Sequence, residues 1–372
     1  MKILTILGAR PQFIKAATVS RAIRNHNASV GLPQLHEVII HTGQHFDANM
    51  SDVFFDQMDI PRPNYQLRIA GLPHGAMTGQ MLEMVEAVMQ QEKPNWVLVY
   101  GDTNSTLAGA LAAAKMHLPV AHVESGLRSH NPAMPEEINR ALTDRISTLL
   151  LCPTATATDN LHAEGFPFQT PTRRCQHIES VGDVMVDAVL NYREAAAREV
   201  DLAQWGLSDR KYVLCTLHRQ ENTDHPQRLA DILTALRTIA RETVVLLPLH
   251  PRTRKYLEAG GRIGELAGLR VIDPVPYLEM QRLQIGAAVI LTDSGGIQKE
   301  AYLHGVPCIT LRDETEWVET VGAGWNQVVG ADFERIVTAW REARVPQETS
   351  QNLFGDGDAS GRIVRALIEH QE

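Results

Sequence analysis

The stretch from Ala288 to Pro307 most constrains the fold. Ala288 to Leu291 is an apolar run without alternation, the pattern of a strand covered on both faces, and Thr292-Asp293-Ser294-Gly295-Gly296 turns it directly into a helical segment. A strand buried on both sides calls for helices above and below a parallel sheet. The helix begins on glycines, so the N–H groups of Ser294, Gly295 and Gly296 stand open at its positive end, a geometry that receives a phosphate. Glu300 follows one turn later, within reach of a ribose hydroxyl pair. An ordinary strand-to-helix turn with Asp293 or Ser294 as N-cap accounts for this stretch equally well by itself.

The rest of the chain repeats the pattern. Strands are expected at Lys2 to Gly8, His36 to Thr42, Trp96 to Tyr100, Val120 to Val123, Leu149 to Cys152 and Ile178 to Val181. A second series falls at Val213 to Thr216, Val244 to Pro248, Leu269 to Ile272, Val289 to Leu291 and Cys308 to Leu311. Helical patterns lie between them, among them Gln12 to Arg24, Gly75 to Gln91, Thr106 to Lys115 and Pro135 to Leu142, with Ala359 to Glu369 last. At 372 residues the chain suits two domains. The expected architecture is α/β: two Rossmann-like doubly wound domains facing a central cleft, over 1–177 and 178–358, with the 359–372 helix packing back on the first. The Pro- and Thr-rich segment from Phe166 to Arg174 approaches the linker.

Polar residues collect at the carboxyl ends of the strands: Arg10, Gln44, Asp102, Glu124, His218, His250 and Ser294. One such residue is usually a cap or a satisfied histidine, but seven drawn from both halves favour a ligand crevice, because open parallel sheets bind ligands there. The second half offers His218-Arg219, His250-Pro251-Arg252 and the Ser294 helix start, all suited to a diphosphate. Arg10 and Lys15 add cations. The first half offers the carboxylates Asp102, Glu124 and Glu136, suited to acid/base work on a sugar. Glu136 and Glu137 are equally well explained as a favourable first helical turn.

Composition narrows the classes. The net charge of -9 argues against nonspecific nucleic-acid binding, and no apolar run reaches membrane-spanning length. The four cysteines, Cys152, Cys175, Cys215 and Cys308, show no metal or redox spacing and fit a reduced cytoplasmic protein. No G-x-G-x-x-G fingerprint is present. Asp356-Gly-Asp358 reads as a turn before the last helix rather than a metal-binding pair. His130, His177 and His225 lack ligand spacing.

Six segments taken together are specific: Gly8-Ala-Arg-Pro-Gln-Phe-Ile-Lys15, Thr42-Gly-Gln-His45, Gly101-Asp-Thr103, His122-Val-Glu-Ser-Gly-Leu-Arg128, Pro135-Glu-Glu-Ile-Asn-Arg140 and Thr292-Asp-Ser-Gly-Gly-Ile-Gln298. In this order, along nearly the whole chain, they resemble the motif series of the non-hydrolysing UDP-N-acetylglucosamine 2-epimerases. The resemblance implies a glycosyltransferase-B-like fold and reversible inversion at sugar C2 by elimination and re-addition of UDP through a 2-acetamidoglucal, giving UDP-N-acetylmannosamine. It implies catalytic roles for Asp102, Glu124, Glu136 and His218, and substrate binding by Arg10, Lys15, Ser294, Gly295, Gly296 and Glu300, with Val275 to Met280 bordering uracil. Gln44, His250, Arg252 and Trp317 are further candidates for substrate contact. A homodimer, no nicotinamide cofactor, as the missing G-x-G-x-x-G agrees, and a place in supplying mannosamine-type precursors for surface polysaccharide are also implied; no metal is expected.

Two segments depart from the family pattern. Gln12 stands where relatives acting on UDP-N-acetylglucosamine commonly carry Glu, and Trp317 replaces a substrate-contacting arginine. Both resemble the subgroup acting on UDP-2,3-diacetamido-2,3-dideoxyglucuronate. Gln44 and His45 match part of a regulatory substrate site, whereas Phe46 and Asp47 do not. A glycosyltransferase of the same fold, or a noncatalytic nucleotide-sugar sensor, would bind the same donor without needing the three carboxylates.

Overall fold

A computed structural model describes residues 1–29, 31, 33–44, 55, 61–168, 175–346 and 352–371. His45, Phe46, Asp47 and most of the expected linker approach, 169–174, lie outside them. The chain forms two compact units, Met1–Leu190 with Phe354–Glu372, and Asn191–Leu353. The division falls after Leu190 rather than 177. His177–Ser180 pairs with Leu149–Cys152 as the last strand of the first sheet, which carries the first unit past 177.

The first unit holds seven parallel strands: β1 (Lys2–Leu7), β2 (His36–His41), β3 (Tyr65–Gln66), β4 (Trp96–Tyr100), β5 (Val120–Val123), β6 (Leu149–Cys152) and β7 (His177–Ser180), in the order β3-β2-β1-β4-β5-β6-β7. β4, β5 and β6 are buried along their whole length, which is why their sequences show unbroken apolar character instead of alternation. The order reverses between β1 and β4. The loops that leave these two strands therefore diverge, and the crevice they leave is the natural ligand site of a doubly wound sheet.

The second unit repeats the plan with β8 (Tyr212–Thr216), β9 (Val244–Pro248), β10 (Arg270–Ile272), β11 (Val289–Thr292), β12 (Cys308–Thr310) and β13 (Asn326–Val328), ordered β10-β9-β8-β11-β12-β13. Its switch point lies between β8 and β11, at His218 and Ser294. β3 and β13 are absent from the sequence expectation because neither carries an apolar run: one is two residues long and the other reads Asn-Gln-Val.

The last helix, Ala359–Glu369, packs within the first unit. Asp187 accepts from the Ala359 and Ser360 N–H groups at 3.2 and 2.8 Å and from the Ser360 hydroxyl at 2.6 Å, so a side chain from the Val184–Glu199 helix caps it. The Trp96 indole N–H donates to the Leu367 carbonyl at 3.0 Å.

Candidate active site

In the first unit, β1, β4, β5 and the Pro135–Ile146 helix bring their polar residues together. Lys15, on the first turns of the Arg10–Ala28 helix, forms a buried ion pair with Glu124 at the end of β5. Glu124 has φ +71°, a left-handed backbone that a side chain rarely adopts. Two consecutive N–H groups, of Glu124 and Ser125, then donate to the same Leu151 carbonyl, at 3.1 and 3.2 Å. Gly101, φ +63°, lies against this pair. A Cβ there would stand 3.3 Å from Lys15 Nζ and 3.4 Å from Glu124 Oε2, which is tight but not a clash, so it is the left-handed φ of the β4 turn that favours glycine.

The next residue is Asp102. Its Oδ2 accepts from Arg140 Nη1 at 3.0 Å, and its backbone carbonyl accepts from Asn139 Nδ2 at 2.9 Å. Burial raises the Asp102 pKa. Arg140 and Lys15 oppose the rise, and the negative charges of Glu124 and Glu136 add to it. Glu136 is half-buried in the first turn of its helix. Its neighbour Glu137 is structural. It accepts from Ser129 N–H and Oγ, both at 3.0 Å, from His130 N–H at 3.1 Å and from Arg140 Nε at 2.8 Å. Burial alone would raise Glu137, but these bonds and the Arg140 charge outweigh it and its pKa is lowered.

Gln12, conspicuous in the sequence only as a departure, staples two loops. Its Oε1 accepts from the Gly8 and Ala9 N–H groups at 2.8 and 3.0 Å, while its Nε2 donates to the Tyr100 carbonyl at 2.8 Å and the Thr103 and Thr106 hydroxyls at 3.0 Å. Gln44 is tied to the start of the Asn104–Lys115 helix, accepting from Ser105 N–H at 3.2 Å and Oγ at 2.9 Å.

In the second unit the loops after β8 and β11 are joined by Asp293. This buried carboxylate accepts from His218 N–H at 3.0 Å, Arg219 N–H at 2.9 Å and Asn222 Nδ2 at 3.2 Å. It therefore shapes the neighbouring loop instead of capping its own helix. Ser294 occupies the N-cap position of the Gly295–Leu303 helix, yet its side chain makes no capping bond, which leaves the first turn's N–H groups available to an anion. The His218 ring lies 3.4 Å from Asp293 and 5.2 Å from the His250 ring. Burial lowers the His218 pKa, Asp293 opposes, and Arg219, Arg252 and Arg312 add to the lowering.

Gly295 is needed for close approach. A Cβ there would meet Glu316 Oε1 at 2.0 Å and Trp317 Nε1 at 3.4 Å. Glu316 is held by Arg312 at 2.8 Å, and Arg312 also binds Glu221 at 3.0 Å. Trp317 is buried, with Lys299 Nζ 4.1 Å above its ring. Glu300 is buried and accepts from Gln284 Nε2 at 2.5 Å. Val275 and Met280 are half-buried against the core around Leu283 and Ile290. Arg252 is engaged with Asp224 at 2.6 and 2.7 Å and with Thr223 at 3.0 Å, while His250 is exposed and caps its own helix at Arg252 N–H.

A family model described as UDP-N-acetylglucosamine 2-epimerase matches residues 30–368. The chain is 53% identical over 372 residues to the UDP-2,3-diacetamido-2,3-dideoxy-D-glucuronate 2-epimerase of Pseudomonas aeruginosa, covering 99% of this chain and 100% of that one. It belongs to the UDP-N-acetylglucosamine 2-epimerase family. The UDP-N-acetylglucosamine 2-epimerase of Methanocaldococcus jannaschii is 42% identical over 375 residues, 99% of each chain. Its crystal structure in complex with UDP-GlcNAc and UDP superposes with a TM-score of 0.88 at 41% identity, covering 99% of this chain and 100% of that one.

Against the family's motif series, Asp102, Glu124 and Lys15 come together in the first unit, with Glu136 acting electrostatically on Asp102. His218, Ser294, Gly295 and Gly296 flank the switch point of the second. Arg10 opens its helix at the end of β1. Sequence reasoning missed Arg140, which bridges Asp102 and Glu137. Its spacing of three from Glu137 and four from Glu136 on one helix face was the available signal. Among the described residues no cluster of three or more His, Cys, Asp or Glu could hold a metal ion, and no helix is long and apolar enough to cross a membrane.

Proposed function

We infer that this epimerase-family chain inverts C2 of a UDP-linked 2-acetamido sugar, interconverting UDP-N-acetylglucosamine and UDP-N-acetylmannosamine. The observation that carries this reading is the carboxylate group of the first unit, Asp102 with Glu124 and Glu136, set among Lys15 and Arg140.

The C2 hydrogen is not adjacent to a carbonyl and is not acidic by itself. Removing it becomes feasible when the C1–O bond breaks: a carboxylate takes the C2 proton, its bonding pair forms the C1–C2 double bond, and UDP leaves with the C1–O electrons. A second carboxylic acid then delivers a proton to the opposite face of C2 as UDP re-adds at C1. The two steps need a base and an acid in one site, which is what mutually interacting carboxylates of unequal environment supply. Each factor of ten in rate requires about 1.4 kcal/mol of transition-state stabilisation, so cations at the departing diphosphate share the work. His218 and the Ser294-Gly295-Gly296 N–H groups are assigned to the diphosphate, with Arg10 and Lys15 as further phosphate partners. Glu300 is assigned to ribose, and Val275 to Met280 border the base. A homodimer and a cytoplasmic location complete the reading.

A second substrate has specific support. The 53% identity over the full length is to a protein named for the 2,3-diacetamido-2,3-dideoxyglucuronate donor, and Trp317 stands where an arginine contacts substrate in relatives acting on the plain sugar. Incubation with each donor alone in deuterium oxide tests both. Deuterium at C2 of recovered donor is expected without any acceptor, and the donor with the higher kcat/KM identifies the substrate. Binding without exchange, or turnover only with an added acceptor, would replace this reading by a sensor or a glycosyltransferase.

A further inference from the structure

The fully buried ring of His122, in the middle of β5, touches only acceptors. Nε2 lies 2.7 Å from the Gly101 carbonyl oxygen and Nδ1 lies 2.7 Å from Asp144 Oδ1. A neutral imidazole has one N–H and one lone pair, so one of these contacts would set lone pair against lone pair. Either the ring carries two protons or Asp144 carries one. Asp144 does not fit the second option, because the Arg128 guanidinium donates to its Oδ2 at 2.8 Å beside the Gly126 N–H at 3.1 Å, and a cation in direct contact favours the ionised carboxylate. Burial alone would raise Asp144, but the bonds and charges of His122 and Arg128 outweigh it and its pKa is lowered.

The charges around the ring balance. His122 and Asp144 pair, and Arg128 bridges Asp144 to Glu164, with Nε–Oε1 at 2.6 Å and Nη2–Oε2 at 3.0 Å. Cys152 of β6 is uncharged, its thiol pushed up to about 12 by burial. Beyond Gly101 stand Asp102 with Arg140, and two residues along β5 stands Glu124 with Lys15. The Gly101 peptide is thus held at both polar groups by one strand: its N–H donates to the Val123 carbonyl at 3.0 Å and its C=O accepts from His122.

We propose that His122 is a positioning residue for the C2 chemistry: as a doubly protonated imidazolium it clamps the Gly101 carbonyl, fixing the Asp102 carboxylate relative to Glu124. This rests on the reading of Asp102 and Glu124 as the proton-handling groups.

The test joins a spectroscopic and a kinetic measurement on the full-length protein. In ring-15N-histidine protein at neutral pH, with His122 assigned through the backbone, both ring nitrogens should carry protons; a single protonated nitrogen overturns the proposal. His122→Gln, which can serve Gly101 or Asp144 but not both, should lower kcat about 10–100-fold, the loss expected when a reacting group is misplaced by about an ångström. KM and UDP affinity should stay within about twofold, because the proposed diphosphate groups His218 and Ser294 to Gly296 are untouched. An unchanged kcat, or a loss confined to KM, overturns it. Should His122→Gln fail to fold, the spectrum of the native protein still decides. Failure of C2 exchange with every donor by the native protein would instead sink the functional reading and leave the protonation result standing.

Discussion

Replacing Gly295 with alanine tests how the β11 turn is built. The new Cβ would lie 2.0 Å from Glu316 Oε1 and 3.1 Å from its Cδ. Ordinary contact is about 3.4 Å or more, so the Glu316 carboxylate must move by more than an ångström. It is not free to do so at no cost, because its Oε2 is bound by the buried Arg312 at 2.8 Å. Breaking a buried pair costs about 3–5 kcal/mol, but Arg312 keeps Glu221 at 3.0 Å, so a loss of about 2–3 kcal/mol is expected. For a domain of this size that lowers Tm by roughly 5–10 °C. The assay is a double-mutant cycle in urea, with Gly295→Ala measured in the native background and beside Glu316→Ala. With the carboxylate gone the methyl has room, so the two changes should couple by about 2 kcal/mol. Equal costs for Gly295→Ala in both backgrounds would refute the clash, and a cost below about 0.5 kcal/mol in the native background would refute the crowding at this turn altogether.

Asp102→Asn should keep the fold and UDP affinity, yet lower kcat about 10²–10⁴-fold with matching loss of C2 deuterium exchange, read by mass spectrometry. Glu137→Gln should cost about 2 kcal/mol at neutral pH, through weakened bonds to Ser129, His130 and Arg140. Its folded pKa is depressed, so the stability it contributes is present above its ordinary value of 4.5 and is lost as pH falls through the folded value; the gap in urea midpoint between native and variant should shrink on acidification. Cys175 is exposed, whereas burial pushes the Cys152 and Cys308 thiols up to about 12 and the Cys215 thiol up as well. A thiol reagent should therefore titrate one cysteine per native chain and all four in denaturant.

The parallel sheets were legible because buried strands announce themselves locally. Trp96–Tyr100, Val120–Val123, Leu149–Cys152 and Val244–Pro248 carry unbroken apolar runs that end in polar turns, and the helices between them follow a 3.6-residue period. The switch-point residues were legible for the same reason, since a polar side chain directly after such a run stands at the sheet's carboxyl edge. What joins those residues was not legible. Lys15 and Glu124 are 109 positions apart, and Arg252, which reads as a phosphate ligand, is turned toward Asp224 by a contact 28 positions away. Gln12 looked like a substitution in a substrate motif and proves to be a staple between loops, because only an amide can accept from Gly8 and Ala9 while donating to Tyr100. His122 gave one usable hint: a histidine inside the fully buried run Val120–Val123 must find partners for both ring nitrogens.

The left-handed backbone at Glu124 has a consequence for anyone improving this protein. Holding a side chain in that region costs of the order of 1–3 kcal/mol, but glycine there would strand the buried Lys15 cation at about 3–5 kcal/mol. A library that varies position 124 alone would therefore keep the glutamate under heat selection, whereas one that also varies position 15 would enrich robust, inert double variants. Selection for durability has to be coupled to selection for turnover once both positions are opened.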